Sequence, residues 1–135
     1  MKFFIAMKKP PTITHQEKKV TVVNGRPKFY EPPELKQARA TLMAYLARYK
    51  PDEPLSGPVT LTTNWIYPET KTHPSGTWKI TKPDTDNMVK LLKDCMTAVG
   101  FWKDDAQVAW EIIVKMYGKQ TETGIMIQVT SLKES

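Results

Sequence analysis

Two pairs of aspartates and one lysine hold the chemistry that this sequence offers. Asp84 and Asp86 stand two residues apart, Lys90 follows four residues after Asp86, and Asp104-Asp105 comes after an apolar-periodic stretch. Carboxylates supply oxygen ligands, which hard divalent cations such as Mg²⁺ prefer, often taking only a few and keeping water and substrate phosphate besides. Carboxylates gathered around such an ion activate a water and neutralise charge on a phosphorus centre. Each pair alone also has an ordinary reading. An aspartate at a helix start caps it and favours the macrodipole, and Asp-Asp before a strand is common loop composition. It is the combination with Lys90 that points to a divalent-metal site.

The elements that must position these groups follow from the pattern between them. Met88, Leu91, Leu92, Cys95, Ala98 and Val99 recur at helical spacing and predict an amphipathic helix over 86–99. Pro83 disfavours helix at the residue before it. Asp84, Thr85 or Asp86 can cap the start, and Gly100 suits the stop because glycine adopts positive φ without steric cost. Lys90 then lies one turn above Asp86 on the same face. A helix of about 14 residues is about 20 Å long. Asp104-Asp105 therefore meets the first pair only if the chain turns back at Gly100-Phe101-Trp102 and the next strand runs antiparallel to the helix or crosses it.

Asp84-Thr85-Asp86-Asn87, Lys90, and the run Gly100-Phe101-Trp102-Lys103-Asp104-Asp105-Ala106-Gln107-Val108 together resemble the RusA family of Holliday junction resolvases, with no insertion between the acid pairs. That resemblance implies a small homodimeric endonuclease, dependent on Mg²⁺ or Mn²⁺, that makes paired nicks in four-way DNA junctions. It implies Asp84, Asp86 and Asp105 as metal ligands and Lys90 as a residue needed for cleavage, with Asp104 beside the site. The sequence departs from some members, which carry arginines just before the first pair, where Lys82-Pro83 stands here. The departure bears on local DNA contacts and not on the ligands.

Size and charge agree with such a reading. The chain has 135 residues, enough for one compact domain over 1–135 with a real core. Lys and Arg number 20 against 14 Asp and Glu, a formal charge of +6. Several of the acids cluster, so the remaining surface is distinctly basic, which suits a polyanionic partner. A non-catalytic basic DNA-binding module would share that charge but leave the acids unexplained. An Asp-x-Asp glycosyltransferase would need a nucleotide-sugar domain for which the chain lacks room. The single cysteine, Cys95, excludes an internal disulfide and reads as a small core residue. Two distant histidines give zinc little support. The apolar run at residues 1–7 is too short for a signal peptide or a membrane span, so a cytoplasmic protein is expected.

Along the chain, Phe3 to Met7 reads as a short strand. Residues 19–23 and 26–30 around Asn24-Gly25 read as a β-hairpin, since Asn-Gly supplies the two positive φ angles of a type I′ turn. Its Lys18, Lys19, Arg26 and Lys28 either follow a DNA backbone or guard an edge against aggregation. His15 reads as a phosphate contact or a plain surface residue. A second helix is expected from Pro32-Pro33-Glu34 to about Tyr49, with Leu35, Ala38, Leu42, Tyr45, Leu46 and Tyr49 on its apolar face. Val59, Leu61, Thr63 and Trp65 alternate as one side of a strand over 59–67. The basic loop 68–81 leads into the acid motif, with Lys71, Lys79 and Lys82 as expected DNA contacts. Its Trp78 either stacks on an unpaired base or is buried to anchor the loop, and the buried reading is favoured. Strands over 108–117 and 125–130 follow. The fold expected is α+β, a single domain with a mixed or antiparallel sheet and two main helices packed on it.

Overall fold

The computed structural model describes residues 1–13 and 19–132, so the expectations for His15 and Lys18 lie outside the described residues. Among the described residues, six strands and two α-helices run in the order β1 (Lys2–Ala6), β2 (Lys19–Val23), β3 (Arg26–Tyr30), α1 (Pro33–Leu46), β4 (Val59–Pro68), α2 (Thr85–Val99), β5 (Val108–Gly118) and β6 (Gly124–Ser131), with a short 3₁₀ turn at Asp105–Gln107 before β5. Four strands form a mixed sheet in the order β1-β6-β4-β5, and β2-β3 form a separate ribbon. The ribbon turns at Asn24 and Gly25, with φ of 53° and 75°, as the Asn-Gly pair requires.

The decisive pairing is between β4 and β5, which is parallel, whereas β6 pairs antiparallel with both β4 and β1. Parallel neighbours need a crossover, and α2 is that crossover. The helix therefore runs back along the sheet, antiparallel to the strand that follows it. Its apolar positions Met88, Val89, Leu91, Leu92, Cys95 and Met96 are all buried. They meet the inward residues of β4, Val59, Leu61, Thr63, Trp65 and Tyr67, together with Ile125, Ile127 and Val129 from β6. Burying each large apolar side chain contributes about 1.5–3 kcal/mol. At the helix end Gly100 takes the left-handed conformation, φ 103°, and its amide donates to the carbonyls of Met96 and Thr97 at 3.2 Å each. Leu55 then donates its amide to the Phe101 carbonyl at 2.9 Å, which fixes the start of the return.

Helix α1 is shorter than its apolar pattern suggested, closing at Leu46 and not near Tyr49. The amides of Arg48 and Tyr49 donate to Tyr45 and Leu46, three residues back, so the last turn tightens and the helix stops before Pro51. Tyr49 is still used: its ring stacks on Phe3 at 4.5 Å. Both helices share one face of the four-stranded sheet. Phe4, Trp110 and Ile112 stand exposed; Phe4 lies between buried Phe3 and Ile5, whereas the start of β5 is exposed from Ala109 to Ile112 before Ile113 packs against the core. Among the described residues no helix is long and apolar enough to cross a membrane.

Candidate active site

Asp84 sits at the N-cap of α2 with extended backbone, and its side chain makes no capping hydrogen bond. The helix begins instead with the Met88 amide donating to the Asp84 carbonyl at 3.1 Å. The Asp84 carboxylate is thus not consumed in holding the helix, unlike that of an ordinary N-cap aspartate. Asp84 and Asp86 are both exposed. Lys115, near the far end of β5, braces the approach to them. Its ammonium donates to the carbonyls of Thr81 at 2.7 Å and Pro83 at 2.8 Å. Burial lowers the Lys115 pKa, the Lys79 charge lowers it further, and Asp84 acts in the opposite sense.

The later acids divide their labour. Asp104 caps the 3₁₀ turn, accepting from the Ala106 amide at 2.9 Å. Gln107 closes the turn from the other side. Its side-chain oxygen accepts from the amides of Lys103 and Asp104, and its nitrogen donates to the carbonyls of Leu55 and Gly57. With the turn so fixed, Asp105 meets Lys90: Nζ donates to Asp105 Oδ2 at 3.1 Å and lies 3.0 Å from Asp94 Oδ1. Asp94 and then Asp105 raise the lysine's pKa by hydrogen bonding. The hydrogen bond from Lys90 holds the Asp105 carboxyl below its ordinary value.

The chain therefore does turn back after Gly100, and Asp105 comes to the residue one turn above Asp86. The structure joins Asp105, Lys90 and Asp94. It does not gather Asp84, Asp86 and Asp105 into one set, since among the described residues no group of three or more His, Cys, Asp or Glu side chains could hold a metal ion. Asp94 escaped the sequence reading although its i, i+4 spacing from Lys90 was a usable signal. Nothing in the sequence marked Lys115, which acts through backbone carbonyls.

The loop before α2 departs from expectation at Trp78. The side chain is 70% exposed and does not anchor the loop from within. The anchoring is done by the backbone, through a bridge from Trp78 to Met116 and bonds along β5. Lys71 and Lys82 are exposed. Lys79 turns inward over the rings of Tyr67 and Tyr117, at 4.8 and 5.3 Å from their centroids.

The family model described as Endodeoxyribonuclease RusA matches residues 9–129, nearly the whole chain and all of the elements that carry these side chains. The chain belongs to the RusA endodeoxyribonuclease family. It is 32% identical over 110 residues to the crossover junction endodeoxyribonuclease rusA of Lactococcus phage r1t, covering 80% of this chain and 82% of that protein. It is also 25% identical over 122 residues to the uncharacterized protein YqaN of Bacillus subtilis (strain 168), covering 82% of this chain and 85% of that one. As a RusA-family member the chain is an enzyme, a DNA endonuclease of the recombination class.

Proposed function

We propose that this endonuclease resolves four-way DNA junctions in recombination and repair by paired phosphodiester hydrolysis, with Mg²⁺ as cofactor and Mn²⁺ as a substitute. The observation that carries the reading is the Lys90–Asp105 contact across the turn, which sets the second acid element beside the opening of α2. Asp84, Asp86 and Asp105 would hold the ion. The donor type fits, although the three carboxylates stand apart in this structure and the ion would have to draw them together: all three offer carboxylate oxygen, Asp84 is not engaged in capping, and Lys90 holds Asp105 below the usual carboxylate range. When bound, a divalent cation supplies Lewis-acid charge and a water of lowered pKa.

The chain's own groups do the rest. Lys90 keeps Asp105 ionised and carries a positive charge that can face a phosphate as its negative charge grows. Asp94 shares that ammonium and holds it near the turn, while Asp104 and Gln107 keep Asp105 in place. Exposed Lys71 and Lys82, with Lys79 behind them, offer phosphate contacts along the approach. The formal charge of +6 suits a DNA partner whose affinity falls with added salt.

Two symmetric cuts need two sites, so we assign a homodimer. Support for its interface comes from the sheet face opposite the helices, where Phe4, Trp110 and Ile112 are exposed and, among the described residues, Asn64 Oδ1 has no hydrogen-bond partner. We place the enzyme in the cytoplasm, with its DNA.

The test is a labelled four-way junction incubated with and without Mg²⁺, beside an Asp86→Asn protein. Nicking should require Mg²⁺ and fall about 10³-fold or more in the variant. Junction binding should persist or tighten, because a repulsive charge is removed. Wild-type turnover by Asp86→Asn would remove that residue from the mechanism. Binding with no metal-dependent nicking would leave only a basic DNA-binding module.

A further inference from the structure

The segment between β4 and α2 presents large apolar side chains to solvent on a backbone that is held at both ends. Gly76 donates its amide to the Tyr117 carbonyl at 2.9 Å, Tyr117 donates to Thr77 at 2.9 Å, and Lys79 donates to Lys115 at 3.1 Å. Past these bonds, Lys115 Nζ binds the carbonyls of Thr81 and Pro83, the residue just before Asp84. Between the two anchors Trp78 is 70% and Ile80 89% exposed. They stand two apart on an extended chain and so share a side. Lys79, between them, turns the other way onto Tyr67 and Tyr117.

Two neighbouring apolar side chains left this open on a firmly bonded backbone form the kind of patch that marks an interaction site. The surrounding charge selects which one. Residues 70–83 contain Lys71, His73, Lys79 and Lys82 and no Asp or Glu. A neutral or basic protein surface would gain nothing from that one-sided charge, whereas a nucleic-acid backbone, the polyanion on which this family acts, would. Aromatic faces beside basic groups hold unpaired bases by stacking, whatever their sequence. The interior of a duplex presents no free base face, while base pairs at an opened branch point lose a stacking neighbour. We infer that Trp78, backed by Ile80, is a stacking platform for an unstacked base at the branch point, and that it sets the preference for branched over linear DNA. Lys115 couples the platform to the acid site, since one ammonium binds the segment's end and the approach to Asp84. The inference rests on the junction-cutting reading and adds to it the residue that recognises the branch.

The experiment compares wild type, Trp78→Ala and Trp78→Phe. Binding to a four-way junction and to a linear duplex of equal length is measured in EDTA, cleavage in Mg²⁺, and mass by sedimentation. Trp78→Ala should lose about 5- to 150-fold in junction affinity, the range of one stacked base. Its duplex affinity, melting temperature and mass should stay unchanged, and Trp78→Phe should recover most of the loss. Equal junction affinity in wild type and Trp78→Ala, with wild type cutting normally, overturns this inference alone. So does a Trp78→Ala protein that falls to half the wild-type mass, because the side chain then belongs to a subunit contact. A wild-type protein that neither binds nor cuts the junction overturns the junction reading together with this inference.

Discussion

The two faces of the four-stranded sheet are made by the same strands, residue by residue, yet they meet different surroundings. On one face Val59, Leu61, Trp65, Ile125, Ile127 and Val129 are buried under α1 and α2. On the other, Phe4, Ile112 and Trp110 (59% exposed) are open to solvent. Both faces carry large apolar side chains, so hydrophobicity alone does not say which was closed by folding. The closed face is the one that the crossover helix can reach. The open face carries side chains of the same type that none of the described residues covers fully, which is the condition in which a second subunit would contribute most.

That contrast can be broken experimentally, beginning where the effect is greatest. Trp65 lies in the closed face, and its indole donates to Thr63 Oγ1 at 2.9 Å. Trp65→Ala should cost about 3–5 kcal/mol and leave the buried Thr63 hydroxyl short of a partner. A melting temperature lower by roughly 10–20 °C, or no folded protein, is expected by calorimetry. Ile112→Asp on the open face should change the stability of a single subunit by less than about 1 kcal/mol. In the proposed homodimer the same substitution should shift sedimentation from dimer to monomer, since it would bury an unpaired charge at the proposed contact. If Ile112→Asp unfolds the chain as readily as Trp65→Ala, the two faces are not different in kind. Lys93 and Glu111 sharpen the comparison from the rim, where they pair at 2.9 Å across α2 and β5. Both are partly exposed, and Lys93→Ala should cost no more than about 1 kcal/mol. A larger loss would mean that the rim is as dry as the core.

Much of the fold was legible residue by residue. The alternation Val59, Leu61, Thr63, Trp65 is the buried side of β4, and Asn24-Gly25 is the hairpin turn. The helical spacing from Met88 to Val99 and the stop at Gly100 place α2 within one residue of its observed span. Trp78 was read the wrong way, because a tryptophan's type says it is apolar but not whether neighbouring backbone bonds hold its loop instead. The division of labour between Asp104 and Asp105 was equally hidden. It depends on which carboxylate the Ala106 amide claims, and that is settled by the 3₁₀ turn and Gln107's contacts with Leu55 and Gly57.

By itself the sequence determined the strands, the two helices, the basic excess and the spacing of Asp84, Asp86, Lys90 and Asp105, because periodicity, turn chemistry and charge are local properties. Only the tertiary structure decided that β5 lies parallel to β4, so that α2 returns along it and Asp105 reaches Lys90. It alone decided that Trp78 faces water and that Lys115 ties the loop to the acid motif. These outcomes depend on how distant segments share one sheet, and no local pattern carries that information.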